Sequence, residues 1–182
     1  LALPFSCRLV NFFFFFFQKN HQPKCLRFKL TSEAPTDAEL KASAIEYLSR
    51  RDHSVRELQD KLLHKGGELS QVQAVIFWCQ QENYQSEWRF CQMLVRAKAN
   101  KGYGPAWISQ AARQHGLAAD LIREALQDDS FDWFASALTQ YQKKFGDKPM
   151  GDYHDKQKRM AFLQRRGFSS EHIREALQHQ DS

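Results

Sequence analysis

The chain has no C-x-x-C pair and no H-E-x-x-H, and its cysteines and histidines never gather at metal-ligand spacing. Its four cysteines, Cys7, Cys25, Cys79 and Cys91, are too scattered for a disulfide framework, which points to a reducing compartment and a cytoplasmic setting. G-x-S-x-G, the kinase signature and a glycine loop ending in G-K-[ST] are all missing, so hydrolase, transferase and P-loop readings have no residues to stand on. Lys101-Gly102-Tyr103-Gly104 looks like a phosphate loop only until one notes that a helix ends and another starts there. His172 and His179 could share a helix face, but no third ligand accompanies them, and they read as solvated residues. No cofactor, no metal and no enzymatic activity are therefore expected. Nothing reads as a strand. A membrane span is excluded too, because it needs about 20 apolar residues and Leu1 to Phe17 is interrupted by Ser6, Cys7, Arg8 and Asn11.

What is present is a phrase written three times. Gly116 is followed by Ile122-Arg123-Glu124-Ala125-Leu126-Gln127, Gly167 by Ile173-Arg174-Glu175-Ala176-Leu177-Gln178, and Gly66 by Val72-Gln73-Ala74-Val75-Ile76. The glycines are 50 and 51 residues apart, and each precedes its Ile or Val by six. Such a period marks stacked supersecondary units, none of which can bury its apolar face alone.

Punctuation places the helices. Ser54-Val55-Arg56-Glu57 forms a capping box, with Ser54 accepting from the Glu57 amide and the Glu57 carboxylate reaching back. Gly104-Pro105 opens another helix, and Gly66, Gly102, Gly116, Gly146 and Gly167 close helices. The spacing predicts helices over 37–52, 54–66, 68–83, 86–102, 104–116, 118–129, 131–146, 152–167 and 169–180. Apolar stripes assign the core to Val72, Val75, Ile76 and Cys79, to Phe90, Leu94 and Ala97, to Leu121, Ile122, Ala125 and Leu126, and to Phe134, Ala137, Leu138 and Tyr141. The expected fold is all-α: three tandem three-helix repeats, helix-turn-helix-like units over residues 37–83, 84–129 and 130–182, forming an elongated curved body. Residues 1–36, with six phenylalanines at 12–17, read as a disordered, upstream-read leader.

Charge is informative once the leader is set aside. Residues 1–33 hold five of the 26 Lys and Arg and one of the 21 acids, so the remaining chain has 21 against 20 and is nearly neutral. Its basic pI is no argument for nucleic acid binding. The third helix of each repeat counts as acidic: −2 over 68–83, −3 over 118–129 and −2 over 169–182. Basic residues collect elsewhere. Residues 88–119 contain no acid and carry Arg89, Arg96, Lys98, Lys101 and Arg113; residues 156–170 contain none and carry Lys156, Lys158, Arg159, Arg165 and Arg166. These ten are the candidate partner-binding or nucleic-acid-binding residues, able to follow a phosphate backbone or an acidic protein surface. An acidic third helix argues against insertion into a major groove, where phosphates line the path.

Arg51-Asp52-His53-Ser54-Val55-Arg56-Glu57-Leu58 with Lys61-Leu62, Lys101-Gly102-Tyr103-Gly104-Pro105-Ala106-Trp107-Ile108 with Gly116-Leu117, and Phe162-Leu163-Gln164-Arg165-Arg166-Gly167-Phe168 closely resemble the RecX family, bacterial regulators of RecA recombinase. The resemblance covers residues 37–180 in order. Gln85-Ser86 stands where that family usually has an acidic pair, and Ala111-Ala112 replaces a leucine-containing pair. The resemblance implies a monomeric modulator without chemistry of its own. It would bind the RecA filament on single-stranded DNA, block filament extension and lower its ATPase, strand-exchange and coprotease activities, with weak direct DNA contact. From the residues alone, an autonomous DNA-binding or architectural protein built of helix-turn-helix-like repeats stays open beside it, as does a helical scaffold with other partners.

Overall fold

The structure, a computed structural model, describes residues 34–128, 130–146 and 148–178. Of the leader expected over 1–36, residues 1–33 lie outside the described residues, as do Asp129, His179 and Asp181, while Thr36 belongs to the fold as the cap of α1. Within them the chain forms nine helices and no strand: α1 (Asp37–Arg50), α2 (Val55–His64), α3 (Leu69–Gln81), α4 (Glu87–Ala99), α5 (Pro105–Gln114), α6 (Ala119–Leu126), α7 (Trp133–Phe145), α8 (Tyr153–Arg165) and α9 (Ser170–Gln178). None is long and apolar enough to cross a membrane.

Local chemistry sets the ends. Thr36 and Glu39 close a capping box on α1, Asp132 and Asp152 accept amide hydrogens at the starts of α7 and α8, and Pro105 takes the first position of α5. Ser54 does cap α2, accepting from the Glu57 amide at 3.1 Å, but the return half of the expected box is absent. The Glu57 carboxylate turns instead to Arg51 and His53, 2.9 Å from each. A carboxylate from the next repeat caps the following amide: Glu87 Oε1 accepts from Val55 N at 2.7 Å.

The thrice-written glycine has one geometry. Gly66, Gly116 and Gly167 sit at φ of +97°, +85° and +89°, a left-handed turn that glycine enters without a Cβ penalty. In each case the next residue donates back to a carbonyl five positions earlier: Gly67 to Leu62, Leu117 to Ala112 and Phe168 to Leu163. Each turn swings the chain so that its third helix packs across the first two.

Three separate cores result, and the main helix–helix contacts stay within α1–α3, α4–α6 and α7–α9. We refer to these groups as repeats 1, 2 and 3. Val72, Val75, Ile76 and Cys79 are buried as expected, and so are their counterparts Ile122, Ala125, Ile173, Ala176 and Leu177. Two stripe assignments differ. Ala97 is exposed on α4, and Phe134 is 39% exposed on α7, its ring edge against His172. The Gln85-Ser86 departure is structural: buried Gln85 donates to the His53 carbonyl at 3.2 Å, and Ser86 caps α4. Ala112 is fully buried in the repeat 2 core, where a leucine would need extra room.

His172 is not the free residue expected. Its Nδ1 accepts the Ser169 amide at 3.2 Å while its own amide donates to Ser169 Oγ, and its ring lies edge-on to Phe134 and Phe168. Burial lowers its pKa from the usual 6.5, against the pull of Glu171, Glu175 and Asp132. His53 is lowered for the same first reason, partly offset by its Glu57 hydrogen bond. The unfolded chain therefore takes up protons that the folded one refuses, so stability falls as pH drops below about 6.5. Replacing His172 with Gln keeps a capping acceptor and removes the titration. Melting temperature should then fall less between pH 7 and 5.5 than in the unsubstituted chain.

Candidate polyanion-binding joint between the second and third repeats

Repeats 2 and 3 meet where the ends of two helices touch. The Gly104 amide at the start of α5 donates to the Arg166 carbonyl at 2.8 Å, and the Ala106 amide donates to the Gly167 carbonyl at 3.1 Å. Orphan donors of one helix N-terminus are thus satisfied by orphan acceptors of a C-terminus, with the dipoles head to tail. Only glycine allows the approach. A Cβ on Gly104 would fall 2.5 Å from the Gly167 oxygen, and one on Gly167 would fall 2.4 Å from the Trp107 nitrogen.

Arg166 closes the joint. Its Nη1 donates to the carbonyls of Lys101 and Gly102 at 3.2 and 3.1 Å, which are left over at the end of α4. Its guanidinium lies over Phe162 and Tyr103, 5.2 and 5.7 Å from the ring centres. Tyr103 stacks on Trp107 at 3.9 Å, and Lys98 Nζ sits over Trp107 at 5.2 Å. The order is Lys98, Trp107, Tyr103, Arg166, Phe162: a cation on a stacked ring pair, then Arg166 held between Tyr103 of repeat 2 and Phe162 of repeat 3.

The joint brings the two acid-free stretches together. Lys98, Lys101 and Arg166 meet there, and Arg165, exposed like Lys101, immediately precedes Arg166 at the end of α8. Lys158 and Arg165 are seven residues apart on α8, hence on one face, and both are exposed, so this cationic surface continues along α8. Such a surface attracts phosphate or carboxylate. It cannot stack a nucleobase on Tyr103 or Trp107, because each ring has its partner ring on one face and a cation on the other.

The remaining candidates separate. Arg159 leaves the candidate surface: it is 3% exposed, and its guanidinium donates to Asp155, the Tyr141 hydroxyl and the carbonyls of Lys148 and Pro149. A basic residue at that place in an otherwise exposed run gave no sign of being interior. Arg89 is half-buried between repeats 1 and 2, bonded to Asp52, to Asn83 through Oδ1 and carbonyl, and to the Tyr84 carbonyl. Arg96, seven residues on, shares its face and lines an open groove with Asp52, Gln92, Met93 and Ala97. Arg113 and Lys156 are exposed, and Lys156 lies on the side of α8 away from Lys158.

The joint between repeats 1 and 2 was not foreseen from composition, although its residues lie in the quoted Arg51–Leu58 phrase. Glu57 is its hub. Burial works against its charge, but hydrogen bonds from His53 and Arg51 outweigh that and hold the carboxyl below its usual range; His115 lies 3.2 Å from the other oxygen. Glu87, whose carboxylate accepts the Val55 amide, is pushed up by burial. Cys91 is raised to about 11, first by burial and then by Glu87, and burial also raises Cys79, so neither thiol is reactive. Among the described residues no group of three or more His, Cys, Asp and Glu is placed to hold a metal.

Architecture and joints together define a tandem array of three-helix domains whose units are joined end to end by glycine turns and paired charges. Three domain models match in order: the first RecX three-helix domain over 41–79, the second over 86–126 and the third over 132–177. Regulatory protein RecX of Halorhodospira halophila is 37% identical over 145 residues, covering 80% of this chain and 87% of that one. Regulatory protein RecX of Escherichia coli is 33% identical over 155 residues, covering 80% and 93%. A crystal structure of RecX from Lactobacillus salivarius shares the fold with a TM-score of 0.68 at 18% identity, over 80% of this chain and 96% of that one. The chain belongs to the RecX family of regulatory proteins.

Proposed function

We propose that the protein binds the RecA nucleoprotein filament on single-stranded DNA and inhibits its extension, ATPase, strand-exchange and coprotease activities, so modulating recombination, repair and the SOS response. It acts as a cytoplasmic monomer with no catalysis or cofactor of its own. The match of all three RecX domains in order carries this reading. The cationic joint supplies a surface for the phosphates or acidic side chains of such a partner, through Lys98, Lys101 and Arg165, with Lys158 beside them. Direct DNA contact is weak, because it rests on few exposed cations and reads no bases. The rival helix-turn-helix reading is disfavoured by the exposed acids of α6 and α9, Asp120, Glu124, Glu171 and Glu175, which phosphates would repel.

Changing Lys98, Lys101 and Arg165 together to Glu tests the reading by fluorescence anisotropy on labelled filaments. Each lost phosphate contact removes a share of salt-dependent affinity, so filament binding should weaken about 100-fold or more at low salt while the circular dichroism spectrum is retained. Unchanged filament binding by the folded variant contradicts the role of this surface.

A further inference from the structure

Repeat 1 breaks the pattern that repeats 2 and 3 share. With the chain aligned on Gly66, Gly116 and Gly167, four exposed positions of the third helix carry Asp120 or Glu171, Arg123 or Arg174, Glu124 or Glu175, and Gln127 or Gln178. Repeat 1 has Ser70, Gln73, Ala74 and Phe77 at those positions, all exposed, and Leu69 where the others have Ala119 and Ser170. The acids counted for this helix, Glu68 and Glu82, lie at its two caps, and from Leu69 to Gln81 there is no charged side chain. The acidic stripe expected on every third helix therefore holds for α6 and α9 and fails for α3.

The failure does not come from packing. The inward face of α3 has the same character as its counterparts, with Val72, Val75, Ile76 and Cys79 buried. Only the outward face has changed: Phe77 is 63% exposed and Leu69 51%. Tyr84, 47% exposed, extends the patch by packing on Trp78, and Lys41 covers the Trp78 ring at 4.7 Å. Three of the six exposed large hydrophobic residues among those described belong to repeat 1, Ile45, Leu69 and Phe77, and a fourth, Tyr84, directly follows it and packs on its Trp78. A concentration of this kind marks a surface that another molecule covers.

We propose that the outer face of α3, anchored by Phe77 and Leu69, docks on an uncharged apolar surface of the recombinase subunit, while the cationic joint meets the phosphates or acids of the same nucleoprotein. This rests on the function proposed above and adds where the protein-to-protein contact lies. A bare phosphate backbone or lipid headgroup finds no cation on α3 itself, and the one cation beside it, Lys41, is drawn over the Trp78 ring. A second copy docked α3 to α3 would leave the cationic joint with no counterpart. A nucleoprotein presents both kinds of surface, apolar protein and phosphate, and so matches the division of labour along the chain.

The array itself supplies the test variant. Leu69→Ser with Phe77→Gln installs what repeat 3 carries at those positions, Ser170 and Gln178, so the helix keeps residues already compatible with this fold. Binding to RecA assembled on single-stranded DNA, and to the same DNA without RecA, is measured for the variant and the unsubstituted chain. Losing an exposed aromatic anchor should weaken filament binding about tenfold or more, with DNA binding and melting temperature unchanged. Equal filament binding by the two chains overturns the proposal. Self-association of the unsubstituted chain in sedimentation equilibrium, abolished in the variant, also overturns it by making a second copy the occupant. If the unsubstituted chain itself fails to bind the filament, the functional reading falls, and this inference with it.

Discussion

Gly167→Ala should destabilise the protein by roughly 3–5 kcal/mol, whereas Gly66→Ala and Gly116→Ala should cost only about 1–2 each. All three glycines have similar positive φ, so the dihedral cost to alanine is shared. What differs is the space. A Cβ at Gly66 meets Pro35 at 3.5 Å and one at Gly116 meets Arg56 at 3.7 Å, both ordinary contacts. At Gly167 it would sit 2.4 Å from the Trp107 backbone nitrogen, and neither backbone can yield without opening the joint. Repeat 3 keeps its own core of Ala137, Tyr141, Leu163, Phe168, Ile173, Ala176 and Leu177, so the expected damage is undocking rather than collapse. Urea unfolding reads the energy. Hydrogen exchange reads the mechanism, because the Gly104 and Ala106 amides that bond to Arg166 and Gly167 should lose protection before the helices do. Equal costs at the three glycines would contradict the tight joint.

Arg159→Ala should cost about 3–5 kcal/mol, and Lys158→Ala, one residue away, less than about 0.5. The Arg159 guanidinium bonds to Tyr141 Oη at 2.5 Å and to Asp155 at 2.8 Å, it gathers two carbonyls of the α7–α8 connection, and it lies over the rings of Tyr141 and Phe145. Its removal strands a buried hydroxyl and two carbonyls and opens a gap beside the fully buried Tyr141. Lys158 is exposed and has no such partners to lose. Thermal melts of the two variants separate the cases, and a small loss for Arg159→Ala would show that the loop carbonyls turn to water instead.

These two sites also mark what in this fold is legible from the residues alone. Helix starts, glycine turns and the three-repeat architecture were legible because each depends on neighbours within a few positions: Thr36 with Glu39, Ser54 with the Glu57 amide, Gly167 with Leu163 and Gln164. The basic runs were legible as runs but not as surfaces. Arg159, Arg166 and Arg89 form bonds with residues 18, 65 and 37 positions away, and no local spacing distinguishes such an arginine from a solvated one. The meeting of Lys101 with Arg166 depends on Gly104 fitting against Gly167, a contact between two motifs each recognisable alone. The acidity of α3 is not a property of the helix, because Glu68 and Glu82 only flank it.

The repeats thus differ in surface chemistry while sharing a fold: an uncharged face on repeat 1, acids on α6 and α9, and cations gathered where repeats 2 and 3 join. The proposed regulation acts through these surfaces. ATP hydrolysis by RecA on single-stranded DNA, followed as this protein is added at less than one copy per RecA subunit and physiological salt, tests that most directly. The account predicts a progressive fall in hydrolysis, lost in the Lys98, Lys101 and Arg165 reversal variant. Undiminished hydrolysis, together with tight, salt-sensitive binding to naked duplex DNA, would contradict it.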